Sequence, residues 1–296
     1  MIINIPSKGR SQNQTTSKLL DNVGLQHTIW VEPQDEQAYR SNLLPTATLH
    51  VFDKDNQGIA YVRQQILNKG RDAQQSYWLI DDDITQIVKL ASNGFYMRRD
   101  KVTPVDIVLQ EMEESFKINK VDYGAPGHLS TVGYHGGKLN YNKQSYCVVW
   151  INPVTFPNNV DYDRNCLHVE DVVFVLTGIF NGAKCLHHEG FAYSAPNPGT
   201  TAGGLGIYTK NMSQWNKQNE IVIDFLESWR VKAGGQDSLF KMLEKPDKQV
   251  IYLHWSKIHK LARVLNPSIY WNNINRKPRV YKEKKLKIVQ QSGVLL

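Results

Sequence analysis

Three consecutive aspartates, Asp81–Asp83, directly follow the apolar run Tyr77–Ile80. Adjacent carboxylates repel one another, and they cannot be buried at low cost without cations. Carboxylate oxygens are preferred ligands of Mg²⁺ and Mn²⁺, ions that also bridge the phosphate oxygens of nucleotides. The cluster therefore predicts a divalent-cation site for a nucleotide. The structural alternative is a turn with exposed aspartates at the end of a strand.

The alternation of side chains along a strand divides these three aspartates between two sides of the chain. If the extended geometry continues beyond Ile80, Asp81 and Asp83 point to one side and Asp82 points to the other. We therefore expect Asp81 and Asp83 to serve one ligand together.

A second group of polar residues lies in the segment IPSKGR, after the first predicted strand. Pro6 fixes the chain and Ser7 offers a hydroxyl group. Gly9 allows the backbone to approach a ligand closely, while Lys8 and Arg10 offer positive charge to a diphosphate. The segment is a candidate donor-binding loop, and the alternative is an ordinary connection between a strand and a helix.

The first ninety residues must position both groups, and they alternate between strand-like and helix-like patterns. The predicted strands are Ile2–Ile5, His27–Glu32, Ala47–Phe52 and Tyr77–Ile80. Between the last two, apolar residues at helical spacing predict a helix with Gly70 as its C-cap. This order predicts an α/β fold, with a mostly parallel sheet covered by helices on both faces. Ligands bind outside the carboxyl ends of such strands, where IPSKGR and the aspartates both lie.

The second half alternates less regularly, and we expect it to build the acceptor side of the same domain. It contains an amphipathic helix after Asp100, a strand around Cys147 and a second helix that begins near His168. The segment Asn197–Gly206 is rich in glycine and predicts a mobile loop near a ligand. We therefore predict one catalytic domain over residues 1–271, with a nucleotide-binding half up to about residue 100 and an acceptor half from residue 101.

Composition excludes several protein classes. The chain has 296 residues, of which 41% are hydrophobic, so it can bury a large core. No apolar run approaches the ~20 residues that span a bilayer, and the N-terminus does not resemble a signal peptide. Cys147, Cys166 and Cys185 are too few and too scattered for a disulfide framework or a cysteine-type zinc site. We expect reduced thiols in a cytoplasmic protein.

Positive charge is concentrated in the predicted C-terminal segment, residues 272–296. Between Arg276 and Lys287 it holds seven basic residues and one acidic residue, which is +6 of the formal net charge of +7. The basic residues are Arg276, Lys277, Arg279, Lys282, Lys284, Lys285 and Lys287. This segment is either a solvated tail or a contact with a polyanion, with nucleic acid as the first candidate and an anionic membrane as the second.

Other chemistries lack their motifs. The sequence has no Gly-x-x-x-x-Gly-Lys-Ser/Thr loop, no Gly-x-Gly-x-x-Gly after the first strand and no Gly-x-Ser-x-Gly elbow. P-loop kinases, dinucleotide-dependent dehydrogenases and α/β-hydrolases are therefore disfavoured. His-Glu-x-x-His is also missing, which argues against a zinc protease.

The order of Gly58, Arg63, the strand and the aspartates resembles the nucleotide-sugar half of GT-A glycosyltransferases. There, a helix with a glycine and an arginine precedes a strand that ends in an Asp-x-Asp motif. The resemblance implies that Asp83 binds the metal ion and that Asp81 contacts the metal or the nucleotide. It also implies that Arg63 and Asp82 belong to the donor site.

The opening segment Ile5–Arg10 is similar to that of the TET-associated glycosyltransferases, a phage-rich family with an early Ile-Pro-Ser-x-x-Arg element and a later aspartate cluster. That family is linked to sugar transfer onto hydroxymethylated pyrimidines in DNA. The similarity covers mainly Ile5–Arg10 and Gly58–Asp83, about the first third of the chain.

Glu170 and Asp171 are the candidate catalytic residues that the GT-A resemblance implies. Inverting GT-A enzymes often begin an acceptor-side helix with a Glu-Asp pair, and one carboxylate then removes the proton from the acceptor hydroxyl. Asp171 is the first candidate for this base and Glu170 the second. If the enzyme retains the anomeric configuration, the pair instead positions the acceptor. The structural alternative is simple stabilisation of a helix N-terminus.

Several GT-A families take a late metal ligand from a histidine that is closely followed by lysine. The segment HWSK fits this pattern, so the resemblance implies His254 as a metal ligand and Lys257 as a diphosphate contact. His187 and His188 are the alternative ligands. A structural role is the ordinary reading of a lone histidine.

These observations together predict a glycosyltransferase that uses Mn²⁺ or Mg²⁺ and a nucleotide-sugar donor, with UDP-sugars favoured. The acceptor expected from the family is a hydroxymethylated base in DNA, and Tyr134, Trp215 and Trp271 are possible stacking surfaces for it. One alternative is a glycosyltransferase of surface polysaccharide. Another is a noncatalytic nucleic-acid-binding protein with a structural metal site. The sequence leaves the donor nucleotide, the sugar, the anomeric outcome and the oligomeric state open.

Overall fold

The structure is a computed structural model that describes residues 1–92, 97–100, 103–132, 139–141, 147–196, 212–245 and 248–267. Several sequence-based predictions lie outside these ranges. They concern the loop Asn197–Gly206, the basic C-terminal segment 272–296 with its boundary at residue 271, and the aromatic residues Tyr134 and Trp271.

Strands and helices alternate in the first part of the chain. The strands are β1 (Ile3–Pro6), β2 (His27–Val31), β3 (Ala47–Val51), β4 (Tyr77–Ile80), β5 (Gln86–Ser92), β6 (Met97–Asp100), β7 (Tyr123–His128), β8 (Leu139–Tyr141), β9 (Val148–Ile151), β10 (Cys185–Ser194), β11 (Phe240–Lys245) and β12 (Lys248–Leu253). The helices are α1 (Thr15–Asp21), α2 (Glu36–Arg40), α3 (Ile59–Ala73), α4 (Val105–Ile118), α5 (Leu129–Val132), α6 (Glu170–Phe180), α7 (Met212–Lys232) and α8 (Trp255–Leu265).

Most described strands form one sheet, in the order β3-β2-β1-β4-β9-β7-β10-β5-β6, with β8 beside β10. Strands β1 to β4 are mutually parallel, as the alternating pattern predicts, and β7 and β10 are also parallel. Strand β9 runs antiparallel between β4 and β7, and β5 runs antiparallel to β10. The α/β fold class is confirmed, and β1 to β4 form the parallel part of the sheet at the start of the chain.

Helices cover both faces of this sheet because its central strands are apolar on both sides. On one face Ile66 of α3 and Phe174 of α6 pack against Leu79 of β4. On the other face Leu20 of α1 and Phe116 of α4 belong to a second apolar cluster, together with strand residues such as Trp78 of β4. Helices α3 and α6 therefore share one face, which brings their N-termini to the same edge of the sheet as the end of β4.

Helix α3 is longer than predicted. Gly70 was expected to end it, but the helix continues to Ala73 and Gln74 adopts the left-handed C-cap conformation. A Cβ atom at Gly70 would collide with the ring of Tyr77. The glycine is therefore required by the close approach of the helix to β4, and its prediction as a C-cap was wrong.

The chain beyond the sheet adds an antiparallel hairpin of β11 and β12, together with α7 and α8. Helices α7 and α8 extend the apolar cluster on the α6 face through Leu226, Ile258 and Leu261. Among the helices in the described ranges, none is long and apolar enough to cross a membrane.

The packing between Gly124 and Phe116 provides a test of this arrangement. A Cβ atom at Gly124 would lie 2.7 Å from the Phe116 ring. We expect Gly124→Ala to lower the free energy of unfolding by about 1–3 kcal/mol, because the buried ring must shift. Urea unfolding measures this loss. Gln110→Ala, on the exposed side of α4, is the control and should change stability by about 0.5 kcal/mol or less. Equal stability of the two variants would contradict this packing.

Candidate active site

The aspartate turn at the end of β4 is held by backbone hydrogen bonds from two sides. The N–H of Asp81 donates to the carbonyl of Cys147 at 2.7 Å. Thr16 of α1 donates its hydroxyl to the Asp81 carbonyl at 2.5 Å, and the same hydroxyl accepts the N–H of Ile84 at 2.8 Å. The backbone N–H of Thr16 also donates to the Asp82 carbonyl at 3.2 Å. The backbone is thus fixed while the three carboxylates remain available for other contacts.

The three carboxylates pair with two arginines. Asp81 pairs with Arg63 of α3, with Nη2 and Oδ1 2.7 Å apart. Asp82 and Asp83 both pair with Arg10, and the distance from Arg10 Nη1 to Asp83 Oδ2 is 3.1 Å. Burial, followed by the charge of Asp81, raises the pKa of Asp83. The expectation that Asp81 and Asp83 serve one ligand together stays a prediction.

Arg63 connects the two halves of the site. Its Nη1 lies 3.0 Å from Glu170 Oε1 at the start of α6, while its Nη2 contacts Asp81. The side chains of Arg63 and Glu170 are only 8% and 5% exposed. Burial lowers the pKa of Arg63, but the carboxylates of Asp81 and Glu170 raise it further, so that the guanidinium stays charged. One buried cation therefore neutralises carboxylates from both halves of the chain.

Asp171 follows Glu170 and lines a small cavity together with Asp81, Arg63, Tyr162 and other residues. Burial, followed by the charge of Glu170, raises the pKa of Asp171 to about 8. Burial also raises the pKa of Glu170, although Arg63 opposes this effect. Asp171 therefore holds a proton more tightly than an ordinary aspartate, and it must lose this proton before it can accept one from a substrate.

The predicted donor loop lies beside the aspartate turn. Ser7 contacts Asp82 and lies 2.5 Å from the hydroxyl of Tyr39. That hydroxyl also accepts the N–H of Arg10 at 3.1 Å. Pro6 is buried as the last residue of β1. Burial raises the pKa of Asp82 to about 6, while Arg10 and Ser7 act in the opposite direction.

Glu32, at the end of β2, is a site residue that the sequence interpretation missed. Its Oε2 accepts from Lys8 Nζ at 2.6 Å, and its Oε1 accepts the N–H groups of Gln57 and Gly58 at 2.6 and 3.3 Å. Gly58 has a φ of +83°, which glycine adopts readily, and it precedes the first turn of α3. Glu32 thereby joins the donor loop to the helix that carries Arg63. Its position at the carboxyl end of a parallel strand was the signal that could have identified it.

The predicted late histidines lie apart from the aspartates. His254 precedes α8, where its N–H donates to the Leu239 carbonyl at 2.8 Å, and Lys257 lies in the first turn of that helix. His187 and His188 are on β10, and burial lowers the pKa of His188 to about 4. Within the described part of the chain, no three His, Cys, Asp or Glu side chains are grouped to hold a metal ion. The assignment of a histidine ligand therefore stays a prediction.

Trp215 is the one predicted stacking residue within the described ranges. It stacks on His168, with ring centroids 4.7 Å apart and planes at 24°. His168 lies two residues before Glu170, so the aromatic pair is close to the start of α6. The cysteines Cys147, Cys166 and Cys185 are free, and Cys147 lines the cavity with Asp81 and Asp171.

Comparisons with known proteins identify one family. The family model of the TET-Associated Glycosyltransferases matches residues 1–204, which include all the segments on which the sequence resemblance rests. No curated protein matches the chain.

Solved structures give weak overall matches. A fragment of TarS from S. aureus has a TM-score of 0.45 and 13% identity, covering 97% of this chain and 77% of its own. The same fragment in complex with UDP has a TM-score of 0.44 and 11% identity, covering 78% and 71%. GalNAc-T7 with UDP, GalNAc and Mn²⁺ has a TM-score of 0.41 and 10% identity, covering 66% and 43%.

The shared position of Arg63 predicts a measurable coupling. We expect Arg63→Met to destabilise the protein by about 3–5 kcal/mol, because it leaves the Glu170 carboxylate buried without its partner. The double variant Arg63→Met/Glu170→Gln should lose less than the single variant. Urea unfolding at neutral pH measures both.

The control is Arg40→Met, since Arg40 is 60% exposed in its pair with Glu36. We expect it to cost about 0–1 kcal/mol. If the double variant is destabilised by the full sum of its two single variants, the two side chains are not coupled and the description of Arg63 fails.

Proposed function

The chain belongs to the TET-associated glycosyltransferase family, and from this premise we propose that it transfers a sugar from a nucleotide-sugar donor to a hydroxymethylated pyrimidine base in DNA. One observation carries the proposal. Asp81 of the proposed nucleotide-binding half and Asp171 of the second half line the same small cavity, which Arg63 also lines. A carboxylate of the proposed sugar-donor site and the candidate base therefore lie in one place. Transfer requires such proximity, because the donor and the acceptor must be held together.

Asp171 is the proposed general base. It accepts the proton of the acceptor hydroxyl while that oxygen forms its bond to the anomeric carbon and the nucleotide diphosphate departs. Glu170 is held 3.0 Å from Arg63 and is nearly fully buried, so it suits a role in positioning α6. Glu170 and Asp171 are thus assigned different roles because these adjacent carboxylates have different surroundings.

Lys8 and Arg10 are the proposed contacts of the departing diphosphate. Lys8 pairs with Glu32, while Arg10 pairs with Asp82 and Asp83. Binding of a diphosphate at this edge therefore requires the two cations to exchange carboxylate partners for phosphate oxygens. Such charge-assisted contacts stabilise the negative charge that develops on the leaving group.

Asp83 and Asp81 are the proposed ligands of Mg²⁺ or Mn²⁺. Their side chains are both 25% exposed at the edge of the sheet, and hard cations prefer such oxygen ligands. A bound ion would supply further neutralisation of the leaving diphosphate. His254 and Lys257 remain proposals of the sequence, since the described structure does not bring them to the aspartates.

The DNA acceptor is supported by the family and by the basic C-terminal segment. A base inside a duplex is inaccessible to Asp171, so it must be flipped out or met in a single strand. The second candidate function is transfer to a surface polysaccharide, for which the basic segment would contact anionic lipid.

The proposed reaction predicts a mass increase of one sugar on DNA. A single-stranded oligonucleotide with one 5-hydroxymethylcytosine should be glycosylated when it is incubated with the protein, UDP-sugars and Mn²⁺. Mass spectrometry of the oligonucleotide measures the product. We expect Asp171→Asn to lower the transfer rate by roughly 10²–10⁴-fold, because it removes the base.

Asp72→Asn is the matched control, since Asp72 is exposed on α3 and outside the cavity. It should transfer at the wild-type rate. Full activity of Asp171→Asn would refute its role as the base. Donor turnover without any DNA product, over a panel of UDP- and GDP-sugars, would refute the DNA acceptor.

The basic segment separates the DNA acceptor from the polysaccharide acceptor. Deletion of residues 272–296 should weaken binding to the same oligonucleotide. It should also reduce the slope of log Kd against log salt concentration by about 0.7 for each lost phosphate contact. Fluorescence anisotropy over a range of salt concentrations measures this slope. An unchanged slope, together with loss of binding to vesicles that contain anionic lipid, would favour the polysaccharide acceptor.

A further inference from the structure

Tyr162 lines the cavity together with Asp81 and Asp171, and the proposed reaction does not use it. The residue is only 4% exposed and belongs to the apolar cluster that α3 and α6 form on one face of the sheet. Leu79 of β4 belongs to the same cluster and also lines the cavity. Tyr162 and the two carboxyl groups are therefore on the same side of the sheet.

The phenol ring of Tyr162 is held in place by both neighbouring helices. It stacks on Phe174 of α6, with ring centroids 3.9 Å apart and planes at 3°. The backbone N–H of Tyr162 donates to Gln64 Oε1 of α3 at 2.8 Å. The preceding Asp161 pairs with Arg71 of the same helix, with Oδ1 and Nη1 2.6 Å apart. The ring is thus fixed between α3 and α6, the two helices that begin at the site.

The hydroxyl group of Tyr162 is a hydrogen-bond donor that the protein itself does not use. Within the described ranges, no backbone or side-chain group forms a hydrogen bond with it. Burial raises the pKa of Tyr162, although Arg63 opposes this effect, so the phenol keeps its proton at neutral pH. The charges of Glu170, Asp171 and Asp81 raise the pKa further. The O–H group therefore remains available to a ligand in the cavity.

The cavity accommodates one small group that can both donate and accept hydrogen bonds. The space open to the centre of a water molecule is about 10 Å³, which is room for a group of the size of a hydroxyl. The carboxylate of Asp81, and that of Asp171 once it has lost its proton, require a donor, whereas Tyr162 requires an acceptor. A carbonyl or phosphate oxygen only accepts. A hydroxyl group meets both requirements.

We propose that Tyr162 binds a hydroxyl group of a substrate, by donating a hydrogen bond from its phenol to the hydroxyl oxygen. This inference rests on the proposed function. Both substrates of the proposed reaction carry such a group, since the sugar of the donor has hydroxyls and the acceptor base has its hydroxymethyl group. Tyr162 keeps its proton in either case, so it positions the substrate and leaves proton transfer to Asp171.

Two tyrosine variants separate a substrate contact from a structural role. Tyr162→Phe removes only the hydroxyl and keeps the ring contact with Phe174. Since this hydroxyl has no partner among the described residues, the urea midpoint of unfolding should not fall. Tyr141→Phe is the matched control, because the Tyr141 hydroxyl donates to Asn119 Oδ1 at 3.1 Å on the opposite face of the sheet. It should lower the midpoint and transfer sugar at the wild-type rate.

The experiment measures the KM of the UDP-sugar, the KM of the 5-hydroxymethylcytosine oligonucleotide and the inhibition constant of UDP. We expect Tyr162→Phe to raise one KM by roughly three- to tenfold, which is the contribution of one neutral hydrogen bond. Inhibition by UDP, which lacks the transferred sugar, should not change. A higher KM of the UDP-sugar, both in transfer and in hydrolysis by water, identifies a sugar hydroxyl. A higher KM of the oligonucleotide alone identifies the hydroxymethyl group.

Two results would overturn the inference. One is an unchanged KM of both substrates in Tyr162→Phe. The other is weaker inhibition by UDP together with a lower unfolding midpoint, because it indicates disturbed packing around the site. Failure of the proposed function looks different, since the wild-type protein itself would then form no glycosylated oligonucleotide with any donor, and the role of Tyr162 would fall with it.

Discussion

A single buried guanidinium, that of Arg63, holds the candidate active site together. It is 2.7 Å from Asp81 and 3.0 Å from Glu170, and these partners come from opposite halves of the chain. Removing either partner would leave a charge in a poorly solvated position, so α3, β4 and α6 are constrained to one arrangement. Burial and the charge of Glu170 raise the pKa of the adjacent Asp171 to about 8, while Arg63 acts in the opposite direction. Arg63 thus affects the packing of the fold and the charge state of the candidate site together.

The sheet explains why the polar residues converge. Parallel strands β1, β2 and β4 end at one edge, so the donor loop, Glu32 and the aspartate turn are neighbours although they are far apart in sequence. Antiparallel β9 then brings Cys147, which precedes it, to this edge from the second half. Within the described residues, the charged side chains at this edge form pairs of opposite charge.

Sequence patterns predicted much of this arrangement because local physics determines it. The alternation of strands and helices, the end of β4 at the aspartates and a helix that begins near His168 follow from apolar spacing. The patterns failed where packing overrides local preference. Gly70 lies inside α3 because Tyr77 leaves no room for a side chain.

By itself the sequence determined the fold class, the family and the identity of the charged groups, since residue types and their spacing are sufficient for these. Only the tertiary structure decided which charges pair. Arg63 contacts Glu170, 107 positions later, and Lys8 contacts Glu32, because the sheet brings them together. It also gave Glu170 and Asp171 different surroundings, and it identified Glu32. The reason is that the pKa and partners of a buried group depend on neighbours that are distant in the chain.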